Sequence, residues 1–133
     1  MERLTIKNLA EMSDFAGWIA KKVACPSTIL LYGDLGVGKT EFARAFIRAK
    51  LGKPYLVVPS PTFTLVQQYE CVSHFDLYRI KSTYELEEIG FFEALQNDIV
   101  LIEWPERAGL HLPKNHVCIN IALVGDNRII ECS

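Results

Sequence analysis

Apolar residues recur along this chain in two rhythms, and each change of rhythm marks a new element. After a short β-prone stretch at residues 4–6, Leu9, Met12, Ala16, Ile19 and Val23 follow at intervals of three and four, the spacing of one helix face. Asn8 and Glu11 have capping-box spacing at its start, and Cys25-Pro26 breaks it. Residues 28–32 are a run of β-branched and aliphatic side chains ending at Gly33, which predicts a buried strand. A second helix is predicted from Lys39 to about Lys50, with Phe42, Ala45, Phe46 and Ala49 on one face and Gly52 as its stop. The middle is strand-rich: residues 55–58 and 62–69 are β-prone on either side of Pro59-Ser60-Pro61, and residues 72–76 give another short strand. Ser82 and Glu85 repeat the capping-box spacing ahead of helical material that passes Gly90 and continues to Leu95. Residues 99–102 are wholly apolar and lead into Glu103-Trp104-Pro105, and residues 117–124 and 128–132 flank a hairpin loop at Gly125-Asp126-Asn127. Helices alternating with strands, two of them fully apolar, predict an α/β architecture: a mixed sheet covered on both faces, with antiparallel additions at its edges.

Size and composition narrow this picture. The 133 residues fit one domain, and a chain of that size buries roughly 65 to 70% of its unfolded surface. At 50% hydrophobic and 23% charged it lies outside the disordered class. Its apolar runs fall far short of the ~18 residues that span a bilayer, and residues 1–9 carry charges without an apolar signal core, so a soluble cytoplasmic protein with no membrane partner is expected. The 14 basic and 16 acidic residues are interspersed, with Lys21-Lys22 the one adjacent basic pair, and no basic stripe is available to hold nucleic acid directly. Cys25, Cys71, Cys118 and Cys132 are isolated from one another and from metal-ligand spacings, so reduced core cysteines are expected.

Chemistry concentrates first at Gly33-Asp34-Leu35-Gly36-Val37-Gly38-Lys39-Thr40, which satisfies the phosphate-loop pattern G-x-x-x-x-G-K-[ST]. Glycines let successive backbone N–H groups turn inward toward a β-phosphate, and the following helix presents its positive end there. Lys39 would reach the β- and γ-phosphates, and the Thr40 hydroxyl would bind Mg²⁺. Chance produces the four fixed positions in roughly one in two hundred chains of this length. Here they also lie between an apolar strand and an amphipathic helix, as the mechanism requires. Glu103, at the carboxyl end of an apolar strand, has the place of the acidic metal partner of such a loop. Trp104 beside it is either a neighbour of the site or ordinary packing. Ser60-Pro61-Thr62-Phe63-Thr64 sets two threonine hydroxyls at a proline-stiffened bend that could position water or sense a γ-phosphate, or be a solvated turn. In His74-Phe75-Asp76-Leu77-Tyr78-Arg79 the alternation puts His74, Asp76 and Tyr78 on one strand face, where Asp76 could approach Mg²⁺ and Arg79 a phosphate or partner. A half-exposed edge strand has the same pattern.

These segments, taken in order with Glu103-Trp104-Pro105-Glu106-Arg107, resemble the TsaE (YjeE) family, and the likeness runs from Gly33 to Pro113. The resemblance implies a three-layer P-loop NTPase fold with a mixed, mainly parallel sheet. It also implies a Mg²⁺-dependent ATPase, binding ATP and ADP, that supports threonylcarbamoyladenosine modification of tRNA beside the anticodon. TsaB and TsaD would be its partners, with tRNA met through them. By the same resemblance Gly33 to Thr40 hold the phosphates, Glu103 is the essential acid, Asp76 the second acid, and Thr62 lies in a switch-like segment. Trp104 adjoins the nucleotide and Ser13 corresponds to an N-terminal hydroxyl residue near it. Many members carry a second threonine after Thr40, where this chain has Glu41. The Glu41 amide would still reach an α-phosphate, but its carboxylate adds repulsion, and weak nucleotide affinity is expected.

The chemistry these residues predict is phosphoryl transfer to water, with Lys39 and the loop amides stabilising charge and the Thr62 segment setting the water. Arg3, Arg44, Arg48, Arg79, Arg107 and Arg128 are scattered, and none is an evident activating finger, so slow hydrolysis is expected without partners. Two alternatives stay open: a nucleotide-switched adaptor with little hydrolysis, and a small-molecule kinase, against which the lack of a lid-length insertion counts.

Overall fold

The computed structural model describes residues 2–133. Strand β1 (Glu2–Ile6) leads to helix α1 (Leu9–Lys22), β2 (Ser27–Tyr32), α2 (Lys39–Leu51), β3 (Val66–Tyr69) and β4 (Val72–Asp76). Two short helices follow, α3 (Tyr84–Glu88) and α4 (Phe91–Asn97), then β5 (Ile99–Glu103), a 3-10 segment (Pro105–His111), β6 (Val117–Val124) and β7 (Asn127–Cys132). The strands form one sheet in the order β1-β7-β6-β2-β5-β4-β3. Pairings β6-β2, β2-β5 and β5-β4 are parallel, whereas β1-β7, β7-β6 and β4-β3 are antiparallel. The expectation of a mainly parallel sheet is therefore corrected. Parallel pairing is confined to the central strands, because hairpins β3-β4 and β6-β7 and the return of β1 build both flanks antiparallel.

Residues of β2 and β5 alternate between two apolar clusters, which explains why both strands are continuous apolar runs. Ile29, Leu31, Ile99 and Leu101 face α1 and α2, meeting Phe15, Ile19, Phe42 and Phe46. Leu30, Val100 and Ile102 face the opposite layer with Phe75, Leu86 and Phe91. Burying each large side chain contributes roughly 1.5–3 kcal/mol.

Helix α1 begins with the first bond of its capping box, Glu11 N–H donating to Asn8 Oδ1 at 2.9 Å, while the reciprocal bond falls one residue earlier, Glu11 Oε1 accepting from Lys7 N–H at 2.9 Å. Its buried stripe is Met12, Phe15, Ala16, Ile19 and Ala20, with Leu9 71% exposed at the first turn. In α2 the buried apolar set is Phe42, Ala43, Phe46 and Ile47, with Ala45 half-buried against the same cluster and Ala49 exposed, since this helix packs on both α1 and β5 and buries adjacent residue pairs. Residues 55–58 form no strand. Their carbonyls are taken by arginines of α2, Leu56 O accepting from Arg48 Nε and Val58 O from Arg44 Nε, both at 2.8 Å. Residues 62–64 are a turn rather than the start of β3, and Gly90, with φ +75°, divides the predicted continuous helix into α3 and α4. The expectation of reduced core cysteines holds in part: all four are free and half-buried Cys132 packs against the core, but Cys25 and Cys71 are exposed. Among the described residues no helix is long and apolar enough to cross a membrane.

Since β2, β4 and β5 run parallel, their carboxyl ends share one edge of the sheet. The loop 33–38, Asp76 and Glu103 all lie there, in the crevice where open α/β sheets take ligands.

Candidate functional site

The loop between β2 and α2 ends at Gly38, which caps the helix without a side chain. The first-turn amides of α2 are thus left for an acceptor from outside the helix. Lys39, the first helical residue, is only 4% exposed. Its Nζ donates to Gly33 O at 2.6 Å and sits 3.6 Å from the centroid of the Trp104 ring, a cation–π contact. Burial pushes the Lys39 ammonium below its ordinary pKa, against the pull of Glu103, Glu106, Asp76 and Asp34 toward the charged form. The lysine is a poorly hydrated cation facing an acidic group of neighbours, ready to exchange a backbone carbonyl for an anion.

Glu103 ends β5 with its carboxylate buried. Thr40 Oγ1 lies 3.1 Å from each of its oxygens, and His74 Nε2 lies 2.7 Å from Oε2. His74 is fully buried and its Nδ1 has no partner. The tautomer with its proton on Nε2 fits, because it donates to the carboxylate and leaves Nδ1 as a bare acceptor rather than an orphaned buried donor. Asp76, paired in register with Glu103 across β4 and β5, accepts from Tyr78 N–H at 3.0 Å through Oδ1 and from Thr62 Oγ1 at 3.2 Å through Oδ2. Thr62 in turn shares a 2.7 Å hydrogen bond with Ser60. The proline-stiffened bend is therefore tied to the acidic strand end instead of being a free turn.

Trp104 follows Glu103 in the left-handed region, at φ +57°. Strain of roughly 1–3 kcal/mol is typical of such a residue, and here it turns the indole onto Lys39 and onto Tyr78, whose ring centroid is 4.9 Å away. Packing alone does not account for this tryptophan.

Lys39, Thr40, Thr62, Asp76, Glu103 and Trp104 line one cleft, with Leu35, Gly36, Gly38 and Glu41 on its border. Gly33 enters through its carbonyl on Lys39, Asp34 is exposed on the loop, and Val37 turns into the core. Ser13 is not brought in: it is exposed on α1 and lines a neighbouring groove with Glu41 and Arg44. Tyr78 lies beyond the end of β4, and Arg79 is exposed with its guanidinium 4.5 Å from the Phe63 ring centroid. Three residues to which the motifs gave no role also belong to the site. His74 holds Glu103, Arg44 lines the cleft, and Arg128 of β7 donates from Nε to Val37 O at 2.6 Å, pinning the loop. The strict alternation of His74 with Asp76 was the available signal for the first; the arginines carried none.

Two carboxylates and two hydroxyls converge under a buried ammonium and uncapped helix amides. Hard oxygen donors of this kind suit Mg²⁺ and do not suit a soft metal. Among the described residues no group of three His, Cys, Asp or Glu side chains gathers as a closed metal site, so any cation here would need further ligands from water or phosphate.

Comparison with known proteins agrees with this arrangement. The family model described as threonylcarbamoyl adenosine biosynthesis protein TsaE matches residues 6–130. A tRNA threonylcarbamoyladenosine biosynthesis protein TsaE of Rickettsia typhi is 38% identical over 93% of this chain and 88% of its own length. The protein of that name from Borreliella burgdorferi is 32% identical over 96% of each chain. The crystal structure of Bacillus subtilis YdiB superposes with a TM-score of 0.74 at 26% identity, covering 97% of this chain and 82% of the other. The matched span takes in every strand and loop that builds the cleft, and the chain belongs to the TsaE family.

Proposed function

We propose that this chain is a P-loop ATPase, a single domain over residues 1–133 with the P-loop NTPase fold, serving tRNA threonylcarbamoyladenosine biosynthesis together with TsaB and TsaD. The observation that carries the reading is the buried Glu103 carboxylate set 3.1 Å from the Thr40 hydroxyl, beside Lys39, at the carboxyl edge of a parallel sheet. Lys39 exchanges its bond to Gly33 O for phosphate oxygens, and the free α2 amides hold the phosphate chain. Thr40 and Glu103, with Asp76 behind them, are the groups that would hold Mg²⁺, which when bound offsets charge on the β- and γ-phosphates. Water attacks the γ-phosphorus as the bond to the β,γ-bridging oxygen breaks, giving ADP and phosphate. Thr62, already tied to Asp76, is the residue placed to orient that water.

Hydrolysis by the chain alone is slow. Arg44 lines the cleft with its Nε donating to Val58 O, so the guanidinium is anchored there and only its terminal N–H groups remain for a ligand. A finger supplied by a partner can add roughly 10³ to 10⁵ in rate. With a net charge of -2 and no basic stripe, the chain meets tRNA through its partners.

The test is ATP turnover and tRNA modification measured together in mixtures reconstituted with TsaB and TsaD. Wild type is expected to support both, and Lys39→Ala and Glu103→Ala neither. Modification that persists with Lys39→Ala while hydrolysis is lost would overturn the ATPase reading in favour of a nucleotide-switched adaptor.

A further inference from the structure

We propose that His74 is a positioning residue for the site, holding the Glu103 carboxylate in the one orientation that leaves Oε1 to the cleft. The inference rests on the reading of Thr40 and Glu103 as the metal-side groups and names a residue that this reading does not use.

The two partners of Glu103 differ in kind. Thr40 has a single hydroxyl hydrogen, yet Oγ1 is equidistant, at 3.1 Å, from both carboxylate oxygens, a forked and weakly directional contact. His74 makes a single short contact, 2.7 Å from Nε2 to Oε2. It therefore distinguishes the two oxygens: Oε2 is drawn back toward β4 and Oε1 is left for the cleft. Thr40 itself faces the cleft and would be claimed by a cation, whereas His74 is fully buried and beyond the reach of any ligand. When the site is occupied, the imidazole is the tether that remains.

The position of His74 follows from the sheet. It pairs in register with Leu101, two residues before Glu103 on the same face of β5, so the ring reaches along that face to the strand end. On a strand buried along its whole length, with Val72 in the core on the same face, an imidazole has no packing reason to be there. Its sole side-chain partner is the carboxylate, and its second nitrogen is left bare. Outer partners of metal ligands that behave this way typically change metal affinity by about 10- to 100-fold when removed.

The experiment measures Mn²⁺ binding by electron paramagnetic resonance in the presence of ADP, and ADP binding without metal by calorimetry. His74→Leu and His74→Asn are expected to weaken Mn²⁺ binding by about 10-fold or more while metal-free ADP binding stays within about twofold. His74→Gln, whose amide nitrogen takes the place of Nε2, is expected to restore it to within about threefold. The asparagine amide reaches only the Nδ1 position, so the Asn–Gln contrast separates hydrogen-bond geometry from filling of the core. In the wild type, the His74 Nε2–H resonance should shift on addition of Mg²⁺ with ADP and not with ADP alone, a readout that needs no variant to fold. Equal Mn²⁺ affinity across wild type, Asn and Leu, or a resonance indifferent to Mg²⁺, overturns the role of His74 while leaving the ATPase reading intact. Wild type that binds neither ADP nor Mn²⁺ overturns the parent reading as well.

Discussion

Replacing Gly33 by alanine isolates what the phosphate loop requires from its surroundings. Gly33 has φ +148°, and a Cβ built there would lie 2.5 Å from Ile121 O and 2.7 Å from Val37 Cγ2. The first contact is with the backbone of β6, a strand held on both sides by β2 and β7, so it cannot retreat without disturbing two pairings. Backbone strain of roughly 1–3 kcal/mol adds to overpacking of roughly 1–3 kcal/mol, less about 0.4–1 kcal/mol regained from a stiffer unfolded chain. The expected loss is about 1–6 kcal/mol out of a total stability of roughly 5–15. Gly36 is the internal control. It belongs to the same loop and has φ +77°, but nothing lies within 4 Å of a Cβ there, so Gly36→Ala carries only the left-handed penalty of about 1–2 kcal/mol. Urea unfolding followed by fluorescence reads both, and with a slope of about 2 kcal/mol/M the Gly33 variant should lose more than a molar unit of midpoint if the loss is near 3 kcal/mol. Should Gly33→Ala prove no less stable than Gly36→Ala, the close approach of the loop to β6 is not what fixes this glycine.

Two further perturbations test other links. Glu85 Oε2 accepts the N–H groups of Lys81 and Ser82 at 2.6 and 3.1 Å, and these bonds hold its carboxyl below the ordinary 4.5. Its stabilisation is therefore full above the unfolded-state value and disappears as pH falls through the lower folded-state value. Thermal melts of wild type and Glu85→Gln should differ at neutral pH and converge in acid; a gap that does not change with pH refutes the assignment. Glu41, exposed in the first turn of α2, lines the cleft, where the proposed function would set its carboxylate near nucleotide phosphates. Glu41→Thr is expected to tighten ADP and ATP by about fivefold, ~1 kcal/mol of relieved repulsion, as read by calorimetry; unchanged affinity removes the carboxylate from the argument.

Local signals foretold most of the elements. The capping box at Asn8, the apolar runs of β2 and β5 and the stop at Gly52 act over a few residues and are written where they act. What failed depended on partners distant in sequence. Residues 55–58 have strand composition, but the carbonyls that would form a ladder are held by Arg44 and Arg48 across a helix. On α2 the predicted stripe holds at Phe42, Phe46 and half-buried Ala45 but misses Ala43 and Ile47 and includes exposed Ala49, because the helix packs against more than one element and apolar spacing registers one face. Cys25 and Cys71 carry a core-like composition but lie on exposed turns.

The same distinction explains why the candidate site was half legible. Phosphate-loop residues are contiguous, so their chemistry shows as a motif, whereas the acidic edge is assembled by strand order. His74-x-Asp76 fits an edge strand with one wet face as well as a buried strand carrying a functional face. The choice turns on β4 entering between β5 and β3, which no residue of β4 specifies. Once it does, the polar residues stop fitting ordinary core rules. Among the described residues the buried polar or charged ones are Thr28, Lys39, Ser73, His74, Asp76 and Glu103, and four of these six meet at the carboxyl edge of the central strands. Ser73 is accounted for by its bond to Asp98, at the other end of the sheet. Lys39, His74, Asp76 and Glu103 break the burial rule together, in one place, with hydrogen bonds that constrain one another. Proteins break such rules at functional sites, and this concentration of buried charge marks where this fold does so.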